Sequence, residues 1–348
     1  MRLRAPAAVL AAALLTTGLA ACGGSDEAGG KPTKVVLMTH DSFALPKKLE
    51  RQFEQQSGYQ LEIRASGDAG ELTNKLVLSA DNPDGDVAFG VDNTFAGRAL
   101  DHDVFADYTP ADLPAGVGDY DVPGDGGKHL TPVDQGNVCV NVDTTWFAQH
   151  HLAPPKTLDD LVDPAYKDLF VTPGATTSSP GLAFLLTTIS RYGDGWQDYW
   201  KKLIANGAKV DDGWDQAYEV DFTQGGGKGT RPIVLSYDSS PAYTVKGGTT
   251  TTKALLDTCF TQVEYAGVLA GAVNPDGAQA LVDFLLSSAV QKALPTSMYV
   301  FPVVKGTPLP KEWARFAVQP TKTWKVDPQE IDDNRDEWLQ QWSDVISG

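Results

Sequence analysis

Between residues 35 and 91 the chain alternates strand and helix patterns so regularly that few folds can accommodate it. Val35-Val36-Leu37-Met38-Thr39 is an apolar run of strand length. Leu45, Leu49 and Phe53 then recur at four-residue steps, the apolar stripe of a helix that stops near Gly58. Leu61 and Ile63 alternate with polar residues, Leu72, Leu76 and Val77 mark a second helix, and Asp86-Val87-Ala88-Phe89-Gly90-Val91 is again strand-like. Strand, helix, strand, helix, strand at this spacing builds an α/β layer with a mostly parallel sheet.

The alternation resumes further on. Val138 to Val142, Leu169 to Thr172 and Ile233 to Tyr237 read as strands. Gly181 to Tyr192, Gly195 to Asn206 and Gly277 to Leu294 read as helices, the first entered through Ser178-Ser179-Pro180. A C-terminal helix carries Trp338 and Trp342 four residues apart. The glycine clusters at 225–229 and 247–248 are loops, and no GxxxxGK[ST] spacing surrounds the first.

The N-terminus is a different kind of sequence. Arg2 and Arg4 precede an apolar run from Ala7 to Leu15, and Ala20-Ala21 lead into Cys22. A basic start, a short apolar core and small residues before the cut describe a secretory signal peptide over residues 1–21. Small residues followed by Cys resemble a bacterial lipobox, which implies lipidation of Cys22 and attachment at the outer face of the cytoplasmic membrane. Residues 22–33, rich in glycine, are then a flexible tether, and the membrane is met through the lipid alone.

Charge narrows the partners. The full chain has 28 basic and 45 acidic residues, net −17; without Arg2 and Arg4 the balance is 26 against 45, or −19. That excess argues against nucleic acid and against peripheral contact with anionic lipid. With Cys22 lipidated, Cys139 and Cys259 remain, an even pair in an oxidising compartment that reads as one disulfide or as two buried thiols.

In α/β sheets, ligands bind just past the carboxyl ends of the strands. His40, Asp41 and Ser42 follow the first strand, and Asp92 and Asn93 the third. Ser178, Ser179 and Gly181 open a helix whose N–H groups face outward. Trp214 and Tyr218 begin another helical stretch, and Tyr237 and Tyr243 sit at and after a buried strand. Acids among aromatic rings suit an organic cation, each ring face contributing roughly 0.5–2 kcal/mol. The plainer roles are a helix cap for Asp41-Ser42, a turn for Asp92-Asn93, and packing for Trp214 and Tyr243. Catalytic residues, a metal site and a cofactor are not expected: GxSxG, HExxH and CxxC are all missing, and His40-Asp41-Ser42, as sequence neighbours, cannot stack into a triad.

Together these landmarks resemble the thiamine-binding substrate-binding proteins of ABC importers, from about Val35 to the C-terminal helix. The resemblance rests on Asp41-Ser42-Phe43, Gly90-Val91-Asp92-Asn93, Ser178-Ser179-Pro180-Gly181-Leu182, Gly213-Trp214 with Tyr218, Leu235-Ser236-Tyr237 through Tyr243, and Phe301-Pro302-Val303. It implies a type II periplasmic-binding-protein fold of two lobes, each a mixed, mostly parallel sheet with flanking helices, joined by a two-crossover hinge. Residues 34–135 and 268–348 would form the first lobe and 136–267 the second. It also implies a monomer that binds thiamine or a related vitamer and delivers it to ABC permease subunits. Trp214, Tyr237, Tyr243 and Tyr299 would contact the rings, and Asp41 and Asp92 the amine or the thiazolium. The chain departs from the family in having His40 where an aromatic is usual, a shortened Ala44-Leu45-Pro46 loop, and Tyr299 in place of a tryptophan. A polyamine or ferric-iron receptor of the same fold, and a thiamine-related lipoprotein enzyme, are the competing readings.

Overall fold

The computed structural model describes residues 33–348, so Cys22, the signal and most of the tether lie outside the described residues. Twelve strands are named in chain order: β1 Lys34–Thr39, β2 Gln60–Ala65, β3 Val87–Asp92, β4 Thr131–Asp143, β5 Phe170–Pro173, β6 Lys209–Asp211, β7 Ile233–Tyr237, β8 Val245–Lys246, β9 Thr249–Thr250, β10 Thr252–Ala254, β11 Phe260–Val268 and β12 Phe301–Pro302. All but β8 and β9, a hairpin turning at Gly247-Gly248, join one sheet in the order β2-β1-β3-β11-β4-β7-β5-β6, with β10 and β12 alongside β4.

The sheet has two similar halves. β1 pairs in parallel with β2 and β3 at one end, and β5 in parallel with β6 and β7 at the other. Between them β11 and β4 run antiparallel to each other and to their neighbours β3 and β7. β4 begins against β11 and β12 and finishes against β7 and β10, so it passes from one half to the other. This is the two-lobed α/β arrangement with two crossover strands, and one sheet continues through the crossovers, with a register shift in β11 beside Tyr265.

The apolar run of β1 is continuous because both faces of the strand are covered. Val35 and Leu37 pack with Leu49, Phe53 and Phe89 on one side, and Val36 and Met38 with Leu72 and Leu76 on the other. Leu49 and Phe53 are the buried face of helix Lys47–Ser57, where each contributes roughly 1.5–3 kcal/mol. That helix ends at Gly58, whose φ of 78° closes the last turn as only glycine does without strain.

Two expectations change in detail. The stretch 277–294 is two helices, Pro275–Leu285 and Ser288–Ser297, because the Ser287 side chain accepts the Val290 N–H and starts a new helix. Residues 214–218 lead into a π-helical turn, Gln216–Asp221, rather than an ordinary helix. Cys139 and Cys259 are joined in a disulfide that ties β4 to the residue preceding β11. Among the described residues no helix is long and apolar enough to cross a membrane.

Candidate functional site

The loops that follow β1, β2, β6 and β7 converge on a cavity of about 540 Å³. Its walls come from residues far apart in sequence. His40 to Ala44 follow β1, Asp68 and Ala69 follow β2, Trp214 to Val220 follow β6, and Tyr237 to Tyr243 end and follow β7. Gln262 and Glu264 of β11 form the floor, and Ser297 to Val300 contribute from beyond helix Ser288–Ser297.

One wall is aromatic. Trp214 and Tyr218 stack with centroids 4.9 Å apart and planes 10° from parallel, and Tyr243 stands edge-on to Tyr218 at 5.9 Å. Tyr299 meets Tyr243 at 4.7 Å and 90°. Trp214 is fixed through its ring N–H, which donates to the Ser236 hydroxyl at 2.9 Å, while Ser236 in turn bonds Ser240 at 2.8 Å. Tyr237 donates its hydroxyl to Gln262 Oε1 at 3.1 Å, and burial holds its pKa well above the usual tyrosine value.

Acidic side chains also line the cavity. Asp68 caps helix Ala69–Leu78, accepting the Ala69 N–H at 2.6 Å and the Trp214 N–H at 2.8 Å. Burial raises its pKa despite those donors. His40 is 7% exposed and places Nε2 3.1 Å from Glu264 Oε1, a charge contact without hydrogen-bond alignment. Burial lowers the His40 pKa, but the carboxylates around it, Glu264 first and then Asp68 and Asp215, together outweigh that, so the net shift is upward and favours imidazolium. Behind Glu264 lies Asp134, whose two carboxyl oxygens are buried without partners. Burial first, then the Glu264 charge, raise the Asp134 pKa well above the usual carboxylate value. The His40 ring occupies a seat that only Gly90 leaves open: a Cβ there would lie 2.2 Å from His40 Cδ2.

Three hydrogen bonds join the segments after β1 and β2 to those after β5 and β6. Ser42 donates to Asp215 Oδ1 at 2.7 Å, the Trp214 N–H to Asp68 at 2.8 Å, and the Gly70 N–H to the Thr177 carbonyl at 2.9 Å.

Of the expected site residues, His40, Asp41, Ser42, Trp214, Tyr218, Tyr237, Tyr243 and Tyr299 line this cavity together. Asp92, Asn93, Ser178, Ser179 and Gly181 stand behind the wall. Asp92 is fully buried and accepts from the Thr94 N–H and hydroxyl and the Phe95 N–H, the turn role its sequence allowed. Asn93 ties β3 to β11 through the Val263 N–H and the Thr261 carbonyl. Gly181 lets its helix lie against Gly174, whose carbonyl oxygen would be 2.2 Å from any Cβ. The Ser178 and Ser179 hydroxyls are buried, beside the carboxyls of Asp68 and Asp92 respectively.

Asp68, Asp215, Glu219, Gln262 and Glu264 also line the cavity and were not singled out from sequence. Asp68 lies just past a strand end, where the same rule that found Asp41 applies. Gln262 and Glu264 are polar residues in the buried strand β11, and a polar residue kept inside a core strand is itself a signal. Asp215 and Glu219 flank Trp214 and Tyr218, and nothing in their spacing distinguishes them. Among the described residues no group of three or more His, Cys, Asp or Glu is arranged to hold a metal ion.

Known proteins give this geometry a context. The thiamine-binding periplasmic protein of Salmonella typhimurium is 30% identical over 327 residues, 91% of this chain and 94% of that one. That of Brucella melitensis biotype 1 is 32% identical over 343 residues, 94% and 97% of the two chains. A solved periplasmic thiamin binding protein superposes with a TM-score of 0.78 at 29% identity, covering 91% of this chain and 97% of its own. Iron-bound HitA from Pseudomonas aeruginosa, at 21% identity, shares the fold with a TM-score of 0.68 over 90% of this chain and 99% of its own. The model of the bacterial extracellular solute-binding protein family matches residues 85–318. By that match, and by its identity to curated relatives over nearly its whole length, the chain belongs to the bacterial extracellular solute-binding protein family.

Proposed function

We propose that this protein is a receptor that captures thiamine in the cleft and passes it to the permease subunits of an ABC importer. It binds and releases its solute and is not an enzyme. The observation that carries the reading is a single cavity lined both by aromatic rings, Trp214 to Tyr299, and by carboxylates at Asp68, Asp215, Glu219 and Glu264. A flat ring system bearing a permanent positive charge meets both halves of that surface: ring faces attract the cation, and carboxylates offset its charge. Curated relatives that carry the thiamine-binding name support the same ligand.

In this reading His40, Asp41, Ser42, Trp214, Tyr218, Tyr237, Tyr243 and Tyr299 touch the ligand, while Asp92, Asn93, Ser178, Ser179 and Gly181 hold the wall in place. Residues 34–135 with 268–348 form one lobe and 136–267 the other, and closure traps the ligand between them. The protein acts as a monomer, tethered outside the cytoplasmic membrane by lipid on Cys22. Titration calorimetry of the purified protein with thiamine tests the ligand, with submicromolar binding expected and silence refuting it. Labelling with a radioactive fatty acid tests the anchor: wild type incorporates it, Cys22→Ala does not, and equal labelling sinks the assignment.

A further inference from the structure

Gln262 and Glu264 of β11 line the cleft, so Val263 between them points to the other face of the sheet. Val263 shares its apolar core with Ala96 and Ala99 of helix Ala96–Asp101 and with Ile331 of the C-terminal helix, Pro328–Ser347. The crossover strand thus stands between the cleft and the place where those two helices meet.

The segment that carries the C-terminal helix is fastened to residues of the second lobe near both of its ends. The Trp324 N–H and ring N–H donate to the carbonyls of Cys259 and Asp257 at 2.8 and 2.9 Å, and the Ser190 hydroxyl donates to the Lys325 carbonyl at 2.7 Å. Further along, Trp342 stands edge-on to Trp200 at 5.5 Å, and Gln197 donates to Gln341 at 2.9 Å. Between these fastenings the helix meets the first lobe. A Cβ on Gly97 would lie 1.8 Å from Asp332 Oδ1, and Asp336 is 3.5 Å from Arg98. Burial first, and then the Asp101 charge, raise the Asp332 pKa, as expected where carboxylates crowd together.

Resting on the two-lobe division, we infer that the contact of Gly97 and Asp101 with Asp332 is a stop behind the hinge that resists opening of the cleft. It thereby sets the affinity of a site that it does not touch. Lobes that turn about crossovers separate on one side by approaching on the other. Residues 324–348, counted with the first lobe by their number, travel with the second, which fastens them. Opening then drives Asp332 onto Gly97 and Asp101 and narrows the cavity of about 430 Å³ beside them, between Leu100 and Phe105 on one side and Val326 and Ile331 on the other.

The test pairs a wedge with a relief. Spin labels at Lys48→Cys and Lys246→Cys, exposed positions a few residues beyond the cleft-lining Ala44 and Tyr243, report the width of the cleft in the ligand-free protein. Gly97→Leu should shorten the mean distance between the labels, and Asp332→Ala should lengthen it. By calorimetry the first variant should bind thiamine at least threefold more tightly, and the second at least threefold more weakly. Distances that stay put or move the same way in both variants overturn the inference, as does unchanged affinity in both while the wild type binds. A merely structural contact would shift the melting temperatures and leave the distances alone. Asp332 is an exposed side chain, so its variant decides the matter alone if Gly97→Leu fails to fold. Distances that move as expected in a protein silent toward thiamine overturn the thiamine reading and leave the stop standing.

Discussion

Asp92 offers the sharpest check on the electrostatics behind the cleft. Its carboxyl is fully buried, with one oxygen accepting three bonds of 2.7 to 3.2 Å and the Ser179 hydroxyl also close by. Burial outweighs those donors and raises the pKa from 3.8 to about 7. A displacement of that size corresponds to about 4 kcal/mol. Between the two values the folded chain holds a proton that the unfolded chain has released. Stability therefore falls as pH rises from about 4 to about 7 and levels off above, where the ionised carboxylate imposes its full cost.

Asp92→Asn keeps the accepting oxygen and is never charged. Urea unfolding of both proteins, followed by tryptophan fluorescence, should give stabilities within about 1 kcal/mol at about pH 3.5, where the Asp92 carboxyl is protonated in the folded chain and mostly so in the unfolded chain. At pH 8 the variant should be more stable, by up to about 4 kcal/mol. Taking the difference between the two proteins removes most of the pH dependence contributed by His40 and Asp134. Parallel pH profiles, or a variant less stable at pH 8, would show that Asp92 is ionised in the neutral folded protein and that its surroundings favour the charge.

Other perturbations follow from the same geometry. Trp214→Ala removes the ring stacked on Tyr218 and should weaken thiamine binding at least tenfold, about 1.4 kcal/mol, by calorimetry; unchanged affinity would remove Trp214 from the binding wall. Gly90→Ala places a Cβ 2.2 Å from His40 Cδ2 at a φ of 104°. It should lower the melting temperature and displace His40 from Glu264, so the His40 imidazole titrates at lower pH by NMR. An unmoved His40 resonance would contradict the packing. Opening the Cys139–Cys259 bridge frees a 120-residue separation, for which the chain-entropy model gives about 5 kcal/mol. Melting with and without reductant should show a clear loss in the wild type and none in Cys139→Ala/Cys259→Ala.

What could be read from the sequence follows a physical line. β1, β3 and β7 are continuous apolar runs covered on both faces, and such runs announce themselves without tertiary knowledge. The residues just past them, His40 to Ser42 and Tyr237 to Tyr243, were legible because parallel strands deliver their carboxyl ends to one edge. Gln262 and Glu264 escape that rule. β11 runs antiparallel between β3 and β4, so its middle, not its end, passes under the cleft. Asp92 obeyed the rule and still misses the cavity, because its side chain turns back to cap Thr94 and Phe95. The helix break at Ser287 was illegible by periodicity, since both halves keep their apolar stripe facing the same core.

The same strand explains how the floor and the hinge are connected. Both ladders of β11 shift register beside Tyr265, against β4 between Glu264 and Tyr265, and against β3 between Tyr265 and Ala266. A bulge is where a strand bends most easily. In the proposed division into lobes it lies on a crossover, one residue from the carboxylate that faces His40 across the cleft floor. The disulfide stiffens the other end of that crossover by tying it to β4. On that division the flexible point is the segment that carries Glu264, and Ser42–Asp215, Asp68–Trp214 and Gly70–Thr177 join the two proposed lobes. Each of those bonds contributes about 1 kcal/mol net, too little together to hold a cleft shut around acids that repel one another. A bound cation removes that repulsion, so closure and ligand charge are coupled through the same side chains.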